Sequence, residues 1–295
     1  MNSTLLKIKE VSMKTVFIIC ACVSIVAVLL ICLFLFANGL PTIGKIGVGE
    51  FLLGRVWKPL EDKFGILPMI VGSIYVTAGA IIIGVPIGVL SAVFLAKFCP
   101  KPLYKVLKPA VDLLAGIPSI VYGFFGLVVI VPIIQNLFGG GGKSVLTASV
   151  MLGIMILPTI ISVSESAIRA VPESYYEGAL ALGATNERSI YRTVLPAAKS
   201  GITAGVILGI GRAIGEAMAV NMVAGNQAQI PKSIFEGVRT LTSNIVLEMG
   251  YATDLHREAL IATAVVLFVF ILIINLLFSL VKRDKKDRKK RRKAK

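Results

Sequence analysis

Long stretches without a single charged residue constrain this chain more than any other feature. They run 15–44, 64–96, 113–142, 144–164 and 259–281, while 200–211 joins 217–231 across Arg212 and Glu216. A helix needs roughly 20 apolar residues to cross the hydrocarbon core of a bilayer. The pattern predicts six transmembrane helices near 15–37, 70–96, 112–136, 145–164, 201–224 and 259–281. The glycines at 139–142 separate the third from the fourth, because consecutive glycines cannot sustain a helix. The first run follows Lys7, Lys9 and Lys14 as a secretory signal would, but it is too long for one and lacks an A-x-A-like cleavage site, so it reads as an anchor. Composition agrees: 56% of residues are hydrophobic and only 16% charged, which excludes an ordinary water-soluble domain. The expected fold is an all-α integral membrane protein.

Lysine and arginine decide the orientation. With the N-terminus inside, segments 1–14, 97–111, 165–200 and 282–295 carry 22 of them and the outer segments carry 8. Both termini are therefore expected in the cytoplasm. The segment 282–295 alone holds 11 Lys/Arg and 2 Asp, contributing +9 of the net +15. Such a tail controls topology and attracts anionic lipid headgroups. Nucleic acid is the alternative partner for so basic a segment, but no folded reader module accompanies it. Three of the four cysteines (Cys20, Cys22, Cys32) sit in one apolar run, so no disulfide framework is indicated, and the single His256 excludes a His-rich metal site.

Three motifs mislead. The run from Gly139 to Ser144 looks like a phosphate-binding loop, but the required first glycine is Leu137 and no strand precedes it. Gly209-Ile210-Gly211 lacks the third glycine of a dinucleotide fingerprint at the right place, and it lies inside a span. The segment from Glu177 to Val194 reads helix, turn at Gly183, helix, yet it is confined between two spans, so a surface hairpin offered to a protein partner fits better than a DNA reader.

At this hairpin the sequence resembles the permeases of bacterial ABC importers. Their loop begins E-A-A, has a glycine four residues after the second alanine, and closes on I-x-L-P. Here the positions are Glu177, Gly178 and Ala179, then Gly183, then Leu195 and Pro196, with Gly178 and Thr193 departing from the pattern. The resemblance implies the type I permease fold and a coupling loop near 172–196 that docks on a separate ATPase. It also divides the chain into an anchor and outer loop (1–69), a permease domain (70–281) and the basic tail (282–295). More narrowly, Gly116 to Gly123 resembles a segment of phosphate-specific (Pst) permeases, and Gly211 to Val220 followed by Val223 to Asn226 resembles the PstC-type subunit over its sister, the PstA type. What this implies is a permease for inorganic phosphate in a bacterial plasma membrane. Its partners would be a PstA-type permease, a dimer of ATP-binding subunits and an external phosphate-binding protein. ATP would be bound by the partner, with no cofactor in this chain. A permease for sulfate or molybdate, an intramembrane enzyme using Glu216 or Asp112, and a transport sensor are the rivals; no Ser–His, paired-Asp or metal set within the spans supports the enzyme.

The fifth span carries its own physical argument. On a 100° wheel, Gly201, Gly205, Gly209, Arg212 and Glu216 share one face roughly 80° wide. Small residues at this spacing let helices approach closely, and intramembrane charges must face protein or a wet cavity. Arg212 and Glu216 are thus either an intrahelical ion pair or the substrate pathway, where a guanidinium fork suits phosphate oxygens. Gly84/Gly88 is expected to form a second packing face, Asp112 to start the third span, and the polar segment 225–258 to form short helices that a binding protein could dock on.

Overall fold

The computed structural model describes the backbone of residues 3–293 and the side-chain surroundings of residues 10–277. Side chains of the basic tail 282–295 lie outside the described residues. The elements in chain order begin with α1 (Ser3–Ile46), α2 (Val48–Leu53) and a two-residue hairpin, β1 (Trp57–Lys58) and β2 (Lys63–Phe64), antiparallel with Trp57 opposite Phe64. Then follow α3 (Leu67–Val93), α4 (Lys101–Gly116), α5 (Ser119–Phe125), α6 (Val131–Phe138) and α7 (Val145–Arg169). The rest are α8 (Glu173–Ala181), α9 (Asn186–Ser189), α10 (Leu195–Gly215), α11 (Met218–Val223), α12 (Leu241–Glu248) and α13 (Asp254–Lys293). Single π-helical turns extend α3 (Phe94–Phe98), join α5 to α6 (Gly126–Ile130) and join α9 to α10 (Ile190–Val194).

Among the described residues, six helical stretches are long and apolar enough to span a membrane: Glu10–Ile46, Leu67–Phe98, Ser119–Phe138, Val145–Arg169, Asn186–Gly215 and Asp254–Leu277. The chain is a multi-pass membrane protein, as its sequence predicts. Two boundaries differ from the sequence reading. The third span starts at Ser119, because Ile117 and Pro118 are extended and cut off α4 as a separate helix; a residue before proline is pushed out of the helical region. Asp112 therefore belongs to the last turns of α4 and starts no span. The fifth span ends at Gly215, since Glu216 is extended (φ −73°, ψ 128°) and the chain restarts as α11. The wheel that placed Arg212 and Glu216 on one continuous helix does not hold across that break.

α7 is the axis of the fold. Met151, Leu152, Met155, Ile156 and Ile160 are all buried in the main core. Two glycine faces make this possible. A Cβ on Gly84 would lie 2.8 Å from Ile156 Cδ1 and one on Gly88 2.8 Å from Ile160 Cγ2, both from α3. From the other side, a Cβ on Gly209 of α10 would lie 2.7 Å from Ile160 Cγ1. Gly84, Gly88 and Gly209 thus pack against the same two isoleucines, while Gly205 meets Val163 and Ser164 and Gly201 meets Ala167 further along α7. In lipid, where apolar burial gives no gain over the tails, this close approach supplies the attraction between helices.

The two ends of the bundle differ. At one, here termed the cap end, α2, the hairpin, α12 and the start of α13 build a satellite core around Phe51, Trp57, Phe64, Ile66, Met69, Leu241 and Leu260. At the other, the α8–α9 end, α3, α7, the π turn before α10 and α10 itself build a smaller core of Ala92, Val93, Ile168, Ile190, Val194 and Ala198, with Tyr176 of α8 packed against it.

Candidate functional site

The α8–α9 hairpin is built as its sequence requires. Gly183 sits at φ +84°, the left-handed region that L side chains resist. Ala184 N–H donates to Ala179 O at 3.1 Å and Gly183 N–H to Leu180 O at 2.8 Å, the two bonds that close a helix C-terminus around a left-handed glycine. Thr185 then caps α9, its hydroxyl accepting from Arg188 N–H at 3.3 Å. Glu177 and Gly178 face solvent and Ala179 is half-buried, while Leu182, 90% exposed, forms an apolar knob at the tip. Leu195 and Pro196 open α10, directly after the π turn that contains Thr193. Beside the hairpin lies a cavity of 590 Å³ lined by Lys97, Arg169, Glu173, Tyr176 and Ile190 among others.

Arg212 and Glu216 stand on either side of the helix break, both half-buried. Arg212 Nη1 donates to Thr159 Oγ1 of α7 at 3.4 Å. Glu216 turns the other way: its Oε1 accepts from Ala219 N–H at 3.2 Å and so caps α11, while its backbone carbonyl accepts from Thr242 Oγ1 of α12 at 2.9 Å. Among the described residues the two charges make no ion pair with each other. The break frees Glu216 to serve a helix N-terminus, where a carboxylate complements the dipole. Arg212 meanwhile keeps guanidinium donors beyond the one given to Thr159.

Two buried carboxylates were not singled out by the sequence reading. Glu165 on α7 is 2% exposed and Glu248 on α12 is 6% exposed. Tyr104 Oη donates to Glu165 Oε1 at 2.7 Å, Arg169 Nε to the same oxygen at 2.6 Å, and Lys108 Nζ lies 3.2 Å from Oε2. Burial opposes the charge of Lys108, but its bonds to Asp112 and Glu165 outweigh that and hold its pKa above the ordinary lysine value. The bond to Glu165, with burial added, likewise raises the Tyr104 phenol. At the cap end, Trp57 Nε1 donates to Glu248 Oε2 at 2.8 Å, Arg239 Nη1 to Oε1 at 2.6 Å, and His256 Nε2 lies 2.8 Å from Oε2. A signal existed for the first of these: Tyr104, Lys108 and Asp112 recur every four residues on α4, as Glu165 and Arg169 do on α7.

A six-span bundle with a broken, charged fifth span and an exposed glycine-hinged hairpin at one end defines a permease subunit of a transport complex. The chain belongs to the binding-protein-dependent transport system inner membrane component family, whose sequence model matches residues 84–287. It is 40% identical over 284 residues to the probable ABC transporter permease protein YqgH of Bacillus subtilis, covering 92% of each chain. It is 38% identical over 261 residues to the phosphate transport system permease protein PstC of Mesorhizobium japonicum, covering 81% of this chain and 80% of that one. A probable PstC of Methanocaldococcus jannaschii is 32% identical, covering 83% and 84%. Among solved structures, the fold is similar to a bacterial ABC transporter involved in alginate import (TM-score 0.63, 14% identity, 94% of this chain and 99% of that one). It is also similar to the inward-facing MetNI methionine ABC transporter (TM-score 0.61, 19% identity, 78% and 99%). These likenesses establish the ABC importer permease fold.

Proposed function

We propose that this chain is the PstC-type permease subunit of an ATP-driven importer of inorganic phosphate. The similarity to PstC proteins across bacteria and an archaeon supports the substrate. The observation that carries the mechanism is the break at Gly215–Ala217: Glu216 turns to α11, while Arg212 bonds Thr159 of α7 and, among the described residues, forms no ion pair. In this reading Arg212 is the pathway's anion-recognising group, its planar donors matching phosphate oxygens, and Glu216 limits how tightly the anion is held. The hairpin carrying Glu177, Gly178, Ala179, Gly183, Leu195 and Pro196 docks through Leu182 on an ATP-binding subunit, which supplies the energy. A PstA-type sister permease completes the path, and an external phosphate-binding protein delivers to the cap end. Both termini then face the cytoplasm of a bacterial cell, in accord with the 22-to-8 bias in Lys/Arg.

The test uses vesicles containing all subunits, with uptake of labelled phosphate normalised to assembled complex and sulfate and molybdate as competitors. The Arg212→Ala/Glu216→Ala double variant is expected to assemble and fail to transport, and Arg212→Lys to retain part of the uptake, because an ammonium keeps the charge but loses the fork. Near-normal uptake by the double variant would remove Arg212 from the pathway. For topology, single cysteines at 45 and 236 in a cysteine-free chain should label from outside, and those at 187 and 290 only from inside. Outside labelling at 187 overturns the orientation.

A further inference from the structure

α4 presents an unusual case of attachment. No residue of α4 is fully buried, though Leu107 and Val111 are half-buried. The specific bonds that tie it to α7 are polar. Tyr104 and Lys108 both reach Glu165, Lys108 Nζ also lies 3.0 Å from Asp112 Oδ1 and donates to Ser162 Oγ at 3.1 Å, and Ser162 Oγ in turn donates to Asp112 at 3.2 Å. The four charges at this junction, Lys108, Arg169, Glu165 and Asp112, sum to zero. Arg169 adds a third element: its Nη2 donates to Leu95 O at 2.8 Å, where the π turn extends α3, and its guanidinium stacks 4.3 Å from the centre of the Tyr104 ring. Three residues beyond Arg169, Pro172 opens the α8–α9 hairpin.

From α4 the contacts continue toward the broken helix. The chain passes through Ile117 and Pro118 directly into α5, and Tyr122 of α5 donates back to Leu114 O of α4 at 2.8 Å. α5 lies close against α11: a Cβ on Gly123 would lie 2.9 Å from Ala219 Cα and 2.8 Å from Met222 Sδ. Ala219 is the residue whose N–H is capped by Glu216. A buried carboxylate is a poor choice for stability alone, since well-packed apolar residues of similar volume are often at least as stable as a buried ion pair. Here it joins the start of the hairpin to a helix with no fully buried residue of its own.

We propose that Glu165 is a positioning residue for transport: it locks α4 to the hairpin end of α7, so that movement of the α8–α9 hairpin is passed through α4 and α5 to α11 and Glu216. The proposal rests on the importer reading above, in which the hairpin meets the ATPase, but not on the identity of the transported anion. Without the Glu165 junction, ATP-driven movement of the hairpin no longer carries α4 with it.

The test places spin labels at the exposed positions Lys105 of α4 and Ser174 of α8, in a chain whose four cysteines are replaced by serine, within the complete complex in lipid nanodiscs. In the parent complex, the 105–174 distance distribution is expected to stay the same between the nucleotide-free and the vanadate-trapped states. In Glu165→Gln and in Tyr104→Phe it is expected to shift or broaden between those states. The same variants should retain stimulated ATP hydrolysis while phosphate moved per ATP falls by about three- to tenfold, the equivalent of one lost hydrogen bond. Tyr104→Phe removes a single hydroxyl and serves where Glu165→Gln does not assemble. A parent distance that changes between states overturns the rigid unit. Unchanged distances and unchanged phosphate per ATP in both variants overturn the role of Glu165, as does a fall of uptake and hydrolysis together in proportion to assembled complex, which marks a purely structural contact. The distance measurement needs nucleotide but no phosphate, so an error in the substrate assignment leaves it decisive.

Discussion

Each end of the bundle is organised around one buried carboxylate, and the two are built to opposite purposes. At the cap end, Glu248 is enclosed: Trp57, Arg239 and His256 bind it, and the rings of Trp57, Phe64 and Tyr251 surround His256 at 6.0–6.4 Å between centroids. Arg239 also donates to Asn226 O and Asn244 Oδ1, both at 3.0 Å, tying the loop before α12 to α12 itself. At the α8–α9 end, Glu165 is as deeply buried, but two of the four charges at its junction are not. The Arg169 side chain is 45% exposed and Asp112, on the far side of Lys108, 53% exposed. Aromatic side chains with few rotatable bonds make a fixed frame, whereas a junction whose Arg and Asp face solvent can part and re-form. The frame holds the cap while the junction transmits movement.

The largest expected effect sharpens the rigid half of that contrast. Glu248→Ala strands Arg239 in a closed site, a loss on the order of 3–5 kcal/mol; the yield of folded complex and its thermal unfolding midpoint should fall steeply. A stable Glu248→Ala complex would dissolve the distinction between the two ends. Next comes the α8–α9 end. Gly183→Val forces a β-branched side chain into the left-handed region, at about 1–2 kcal/mol locally, and the hairpin is exposed enough to absorb that without unfolding the bundle. Insertion and assembly should persist while uptake and substrate-stimulated ATP hydrolysis drop together, and full stimulation would show that the hairpin carries no signal. Smaller still, Trp57→Phe keeps the ring and removes only the N–H bonded to Glu248, about 1 kcal/mol, visible as a modest drop in the unfolding midpoint with uptake per complex unchanged. The smallest effect lies at the tip of the β1–β2 hairpin. Lys58 and Lys63 bond Glu61 and lower its pKa to about 2, on a fully exposed surface. A depressed folded pKa means its charge favours the hairpin above the ordinary carboxylate range and ceases to do so only as pH falls toward that value. On so exposed a surface the two pairs contribute little, so Glu61→Gln should lower the unfolding midpoint only slightly at neutral pH, lose that difference as pH falls toward 2, and leave uptake unchanged.

Much of this was legible without coordinates. Uncharged run length counts spans because a bilayer admits few unpaired backbone groups and few charges. Gly84/Gly88 and Gly201/Gly205/Gly209 read as packing faces because four-residue spacing repeats on one side of any helix. Gly183 read as a hinge because only glycine takes that backbone cheaply. All three inferences are local, and all three hold in the fold. The places where the reading went astray are those where a local pattern met a tertiary one. Gly116-Ile117-Pro118 carried a break inside an uncharged run, and the absence of charge masked it. Gly215 carried another, and the wheel assumed a helix where the chain turns outward to let Glu216 cap α11.

What the sequence by itself determined, then, was the number of spans, the hairpin and the residues that could bear charge within the membrane, because each depends on neighbours within a few turns of chain. What only the tertiary structure decided was the partner of each charge. Arg212 meets Thr159, 53 positions away; Glu165 meets Tyr104, 61 away; Glu248 meets Trp57, 191 away. A charge is stabilised by whichever opposite group or donor the packed helices bring within about 3 Å, and that choice is made by how α3 and α10 close on α7, which no stretch of the chain contains on its own.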